Sequence, residues 1–113
     1  AGWHVASNSE WTSLVDYLGG STIAGGKLKE AGTIHWASPN TGATNESGFT
    51  ALPGGYRDIY GGAGGYYANI NYVANIWTAD EGVYREMQNT LGSIVSHTYY
   101  KNNGYNVRCI KDI

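Results

Sequence analysis

The spacing of apolar residues changes near the middle of the chain. In the first part the repeat is helical: Trp11, Leu14, Val15 and Leu18 fall on one face of a predicted helix over residues 8–18. Ser7 and Glu10 stand at capping-box spacing before it, and Gly19-Gly20 supplies the stop. A shorter helix is expected over residues 21–31, capped by Ser21 or Thr22 and ended by Gly32. Gly25-Gly26 weakens it by roughly 1 kcal/mol per glycine, so tertiary packing has to hold it. Lys27, Lys29 and Glu30 are assigned to its solvated side.

Later the pattern shortens to that of strands. Residues 70–77 read as a strand, and residues 83–88 and 93–99 as a hairpin around Asn89-Thr90-Leu91-Gly92. Residues 105–110 read as a last strand, with Tyr105, Val107 and Cys109 on one face. Gly2-Trp3-His4-Val5 is expected to form an edge strand. Two helices followed by several short strands define an α+β domain.

Between the halves lies the segment 48–57. Phe49 to Leu52 can form a short strand, which Pro53 must stop because it cannot donate to a ladder. Gly54-Gly55 then lets the backbone swing before Tyr56-Arg57. The polar loop before it, residues 37–48, is rich in side chains that bond to their own backbone. Asn40, Asn45 and Glu46 offer oxygens to a hard cation such as calcium, but one carboxylate without EF-hand spacing favours a self-bonded loop. Residues 58–67 set glycines among tyrosines, a mobile aromatic loop without the signature of a phosphate-binding loop. Asp80-Glu81-Gly82 reads as a solvated turn, because adjacent strand residues point to opposite faces and do not form an acid–base pair.

Composition narrows the partners. With 113 residues the chain suits one domain spanning its whole length. A net charge of −2 gives no footprint for nucleic acid, and no apolar run reaches the roughly 20 residues of a membrane span. Only 14% of residues are charged, whereas there are ten tyrosines and four tryptophans. Such rings pack with one end and hydrogen-bond with the other. The start at Ala1-Gly2-Trp3, without Met, reads as part of a longer, processed protein. Cys109 is the only cysteine. Either it is a buried thiol acting as a small hydrophobe, or it is a half-cystine whose partner lies upstream. His4, His35 and His97 are far apart and show no ligand-like neighbours.

Several segments together resemble a known family. They are Gly2-Trp3-His4-Val5, Glu10-Trp11, residues 24–30, Trp36-Ala37-Ser38-Pro39-Asn40, residues 45–57, Trp77-Thr78, and Gly104-Tyr105-Asn106-Val107-Arg108-Cys109. In that order they resemble the Fibrobacter succinogenes major paralogous domain of bacterial proteins. That family is similar to the C-type-lectin-like group, which includes the formylglycine-generating enzymes and the variable proteins of diversity-generating retroelements. The resemblance implies an exported domain with two helices packed on a twisted, mostly antiparallel sheet with long loops, forming the C-terminal part of a longer protein. It also implies a Cys-Pro upstream as the partner of Cys109. The chain departs from the family at residues 75–79, where one tryptophan stands in place of Trp-Trp-Ser-Ser, and across residues 82–103 beyond Tyr84-Arg85. In lectin-like folds that region carries the ligand surface.

The expected function is therefore an extracellular, cell-surface recognition or adhesion module. It is non-catalytic, needs no cofactor, and binds a glycan or a surface protein. Tyr60, Tyr66, Tyr67, Tyr99, Tyr100, Asn102 and Asn103 are the candidate ligand-binding residues. Arg57, Trp77 and Arg108 are assigned to internal support. Two other readings remain: a terminal cap on an oligomeric (trimeric) surface fibre carried on an upstream stalk, and a degenerate relative of the formylglycine-generating enzymes. The enzyme reading lacks the reactive cysteine pair that those proteins use.

Overall fold

The computed structural model describes residues 2–59, 65–99 and 102–113. In chain order the elements are β1 (Trp3–Val5), α1 (Asn8–Tyr17), α2 (Ser21–Leu28), β2 (Tyr56–Asp58), β3 (Tyr66–Ala68), β4 (Val73–Trp77), β5 (Val83–Gln88), β6 (Ile94–Thr98), β7 (Asn106–Val107) and β8 (Cys109–Lys111). Strands β6-β5-β4-β7 form one sheet, in which β7 runs parallel to β4 and the other pairs are antiparallel. β1 with β8, and β2 with β3, make two separate antiparallel ribbons. The domain is α+β, and its strands form three sheets where one was expected.

Helix α1 forms as its sequence directs. The Ser7 hydroxyl accepts from the Glu10 N–H at 3.1 Å, and the Ser7 N–H donates to the Glu10 carboxylate at 2.9 Å. Two orphan donors of the first turn are thereby satisfied. The Asp80 carboxylate accepts from the Asn8 N–H at 3.0 Å, adding a negative charge at the positive end of the helix. Trp11, Val15 and Leu18 are buried, while Leu14 is half-buried at the margin of the core.

Helix α2 stays in place because its glycines allow contact with backbone. The Gly26 N–H donates to the Gly92 carbonyl at 2.9 Å, and the Gly26 carbonyl accepts from the Thr44 N–H at 2.8 Å. A methyl group on Gly26 would collide with the carbonyl of Gly42, and one on Gly25 with that of Ser93. The propensity lost at these positions is recovered in close packing.

The helix ends at Leu28 and not at residue 31, because Lys29 turns to extended backbone and its side chain goes inward. Lys29 was expected in solvent and is instead fully buried. Its ammonium donates to the carbonyls of Leu91, Gln88 and Thr41 at 2.8, 2.9 and 3.0 Å, and lies 5.2 Å from the centre of the Trp36 ring. Burial pulls its pKa down to about 8, and the three carbonyls work against that pull. Buried Trp36 in turn donates from Nε1 to the Ala51 carbonyl at 2.9 Å.

Other expectations are corrected for local reasons. Residues 49–52 contribute only a bridge between Ala51 and Lys29, since Thr50 has a positive φ of 57°. The strand expected from residue 70 begins at Val73, because Asn69 and Asn71 take positive φ in a turn. The last strand is split at Arg108: β7 joins β4, and β8 joins β1. Val107 and Cys109 are exposed, so Cys109 is not a buried hydrophobe. The polar loop is self-bonded: Asn45 accepts from the Thr50 N–H at 2.8 Å, and Glu46 accepts from the Thr44 hydroxyl at 3.2 Å.

The core lies between the helices and one face of the four-stranded sheet. Ala74, Ile76, Met87 and Ile94 point toward Trp11, Val15, Leu18, Ala24 and Leu28. Strand alternation then sends Val73, Asn75, Trp77, Tyr84, Glu86 and Gln88 to the opposite face.

Candidate functional site

That opposite face is the floor of a cleft of about 410 Å³, within the range usual for small-ligand sites. Val73 and Asn75 of β4 and Tyr84, Glu86 and Gln88 of β5 lie along it. Tyr56 and Asp58 of β2 and the turn residues Asn69 and Tyr72 close one side. Tyr99, Asn103 and Tyr105 close another, and Asn89 contributes at an end. No Lys, Arg, His, Cys or Ser is among these lining residues.

The rings support one another. Tyr105 lies 4.4 Å from Trp77 and 4.4 Å from Tyr84, and meets Tyr56 edge-on at 5.9 Å. Trp77 packs edge-on against Tyr84 at 5.9 Å. Burial, the largest cause, pushes the phenols of Tyr56 and Tyr84 above their ordinary range. Both therefore stay neutral and can donate and accept hydrogen bonds. Asn69 donates to the Tyr56 hydroxyl at 3.3 Å, and Gln88 donates to the Glu86 carboxylate at 2.9 Å. Beside the cleft, His97 Nε2 stands 3.4 Å from the same Glu86 oxygen, and its ring is 5.3 Å from that of Tyr84.

The candidate residues from the sequence divide into three groups. Tyr99 and Asn103 line the cleft. Asn103 is buried and structural as well: its carbonyl accepts from the Ile59 N–H at 3.1 Å, and its amide donates to the Tyr105 hydroxyl at 3.3 Å. Tyr66 and Tyr67 on β3 and Asn102 are exposed but do not line it. Tyr60 and Tyr100, with residues 61–64, lie outside the described residues.

The floor itself was missed, although the alternation of Val73, Asn75 and Trp77 with Ala74 and Ile76 carried the signal. Trp77 packs against the floor tyrosines, and Arg108 gives support, donating to the Phe49 carbonyl at 2.9 Å with its guanidinium 4.0 Å from the centre of that ring. Arg57 is half-buried in β2, with backbone bonds both ways to Gly104 at 2.8 and 2.9 Å.

A second hollow, of about 370 Å³, lies between α1 and β8 and is mostly apolar. Trp11, Leu14 and Phe49 wall it, and Cys109 reaches its edge. Each histidine sits beside a carboxylate. His4 bridges Asp112 at 2.6 Å and Glu10 at 2.9 Å, and His35 sits 3.0 Å from Glu30. Among the described residues, no group of three His, Cys, Asp or Glu side chains is arranged to hold a metal ion.

Helices on one face of a mixed sheet and a tyrosine-lined cleft on the other define an α+β domain built to present a concave polar surface. The sequence model of the Fibrobacter succinogenes major domain matches residues 1–111, and the chain belongs to that family. No curated protein and no solved structure matches it significantly.

Proposed function

We propose that this domain is a non-catalytic recognition or adhesion module of an extracellular, cell-surface protein, binding a glycan or other surface ligand in the tyrosine-lined cleft. The carrying observation is the lining: neutral phenols and amides, which both donate and accept, set beside rings that offer flat apolar faces. Sugars present the same two surfaces, with hydroxyls around the ring edge and C–H groups on the faces. A C-type-lectin-like arrangement suits this reading, with the sheet as a rigid floor and Tyr99 and Asn103 on one wall. Exposed Tyr66, Tyr67 and Asn102 would extend the contact surface beyond the cleft. The non-catalytic reading is supported by the lack of a Ser, Thr, Cys or His side chain among the described lining residues, and by Cys109 lying at the other hollow. No cofactor is needed for binding of this kind.

A glycan array probed with the isolated domain tests the proposal. Wild type should bind a defined set of glycans, and Tyr99→Ala should lose that binding while melting as wild type does. A blank array with well-folded protein would reject glycan as the ligand.

A further inference from the structure

Resting on that reading, we infer that Asn75 is the residue that selects the sugar in the cleft. Its side-chain carbonyl takes a hydrogen bond from a free hydroxyl of the ligand, so a sugar that has lost that hydroxyl is rejected. Five carboxamides line the cleft, at positions 69, 75, 88, 89 and 103. Four are engaged within the protein. Asn69 donates to the Tyr56 hydroxyl, Gln88 to the Glu86 carboxylate, Asn89 to the Ser38 carbonyl at 3.2 Å, and Asn103 to the Tyr105 hydroxyl. The Oδ1 of Asn75 has no partner among the described residues.

The position is a rigid one. Asn75 is the middle residue of β4, which lies between β5 and β7, and its backbone carbonyl accepts from Asn106 Nδ2 at 3.2 Å. Alternation with Ala74 and Ile76, both in the core, turns its side chain to the cleft, where it is 2% exposed at the bottom. A buried carbonyl without a donor is uncommon and destabilising, and an apolar side chain of the same shape would spare the fold that burden. A sugar hydroxyl supplies the missing donor. Contact with Oδ1 takes a side-chain adjustment of the kind common on binding. A sugar without that hydroxyl leaves the carbonyl unpaired beneath it and cut off from water, and mismatches of that kind are strongly discriminated against.

Leucine has the shape of asparagine without its polar atoms. Asn75→Leu should therefore melt at or above the wild-type temperature, yet lose about tenfold or more in apparent affinity for the array glycans that wild type binds. Asn75→Ala removes the same carbonyl without adding an apolar branch, and should show the same loss of binding. NMR titration supplies the chemical counterpart, with the methyl glycosides of glucose, galactose, mannose and N-acetylglucosamine and their singly deoxygenated forms as probes. For a glycoside that binds, removal of one hydroxyl should weaken binding about tenfold in wild type and leave it unchanged in Asn75→Ala. Where none of the four binds, the array comparison decides.

Full array binding by both variants overturns the inference and leaves glycan recognition standing. A fall of more than about 10 °C in the melting temperature of both variants also overturns it, by making Asn75 a structural residue. An equal loss on deoxygenation in wild type and Asn75→Ala overturns it too, since the hydroxyl then bonds elsewhere. A blank array with well-folded wild type rejects glycan as the ligand, and the inference falls with that reading.

Discussion

The two faces of the four-stranded sheet are made by alternate residues of the same strands, and they are buried in different ways. On one face, Ala74, Ile76, Met87 and Ile94 have no polar side-chain atoms to satisfy, and they pack on the helices. On the other, Asn75 and Tyr84 are nearly as inaccessible as Met87, yet carry groups that need partners. Burial alone therefore does not separate core from site. The distinction lies in what the buried atoms demand: on the cleft face they include polar groups, such as Asn75 Oδ1, that packing alone does not satisfy.

Substitutions on the two sides should separate these roles. Met87→Ala removes a fully buried side chain from the core face and should cost about 3 kcal/mol of stability in urea unfolding. Lys29→Met keeps the stem but leaves three carbonyls without their donor, and should cost roughly 2–4 kcal/mol in the same measurement. Gly26→Ala tests the sign of an effect. Helix propensity alone predicts a gain of about 1 kcal/mol, whereas collision with the Gly42 backbone predicts a loss of roughly 1–3 kcal/mol. A loss is expected. On the cleft side, Tyr99→Ala should change stability by no more than about 0.5 kcal/mol and abolish array binding. A large drop in melting temperature there would make both faces structural and end the contrast.

The smallest effect concerns the clasp of His4 with Asp112 and Glu10, on neither face. The His4 pKa is raised above its ordinary 6.5, first by the Asp112 hydrogen bond and then by that of Glu10. Its contribution is complete below about pH 6.5 and fades as pH climbs through the raised value. The Glu10 pKa is lowered from 4.5, chiefly by the Ser7 N–H and next by His4. That contribution is present above pH 4.5 and lost as pH falls through the lowered value. In His4→Gln, the decline in melting temperature on the alkaline side should flatten, as read from melts across pH.

Local signals were legible in proportion to how locally they are satisfied. The capping box at Ser7 and Glu10 closes within one turn, and both the helix and its buried face follow from it. The hairpin of β5 and β6 and the turn at Asp80 are local in the same sense. Lys29 was misread because its three acceptors lie 12, 59 and 62 residues away, and nothing near it in sequence announces them. The division into three sheets depends on Thr50, Asn69, Asn71 and Arg108, where backbone geometry and long-range pairing override strand-like composition. Of the site, tyrosines near the chain's later turns were anticipated, whereas Asn75, Glu86 and Gln88 sit within strands that read simply as sheet. Their cleft role needed the packing of β2 and the turn at Asn69 over them.

Lys29 has one more consequence. Carbonyls from the loop at Thr41, the end of β5 at Gln88 and the following turn at Leu91 converge on a single positive centre, much as oxygen ligands gather around a bound calcium. Here the cation is tethered to the chain. It is delivered during synthesis, cannot be washed out by a chelator, and holds its three segments without regard to the ionic composition of the medium.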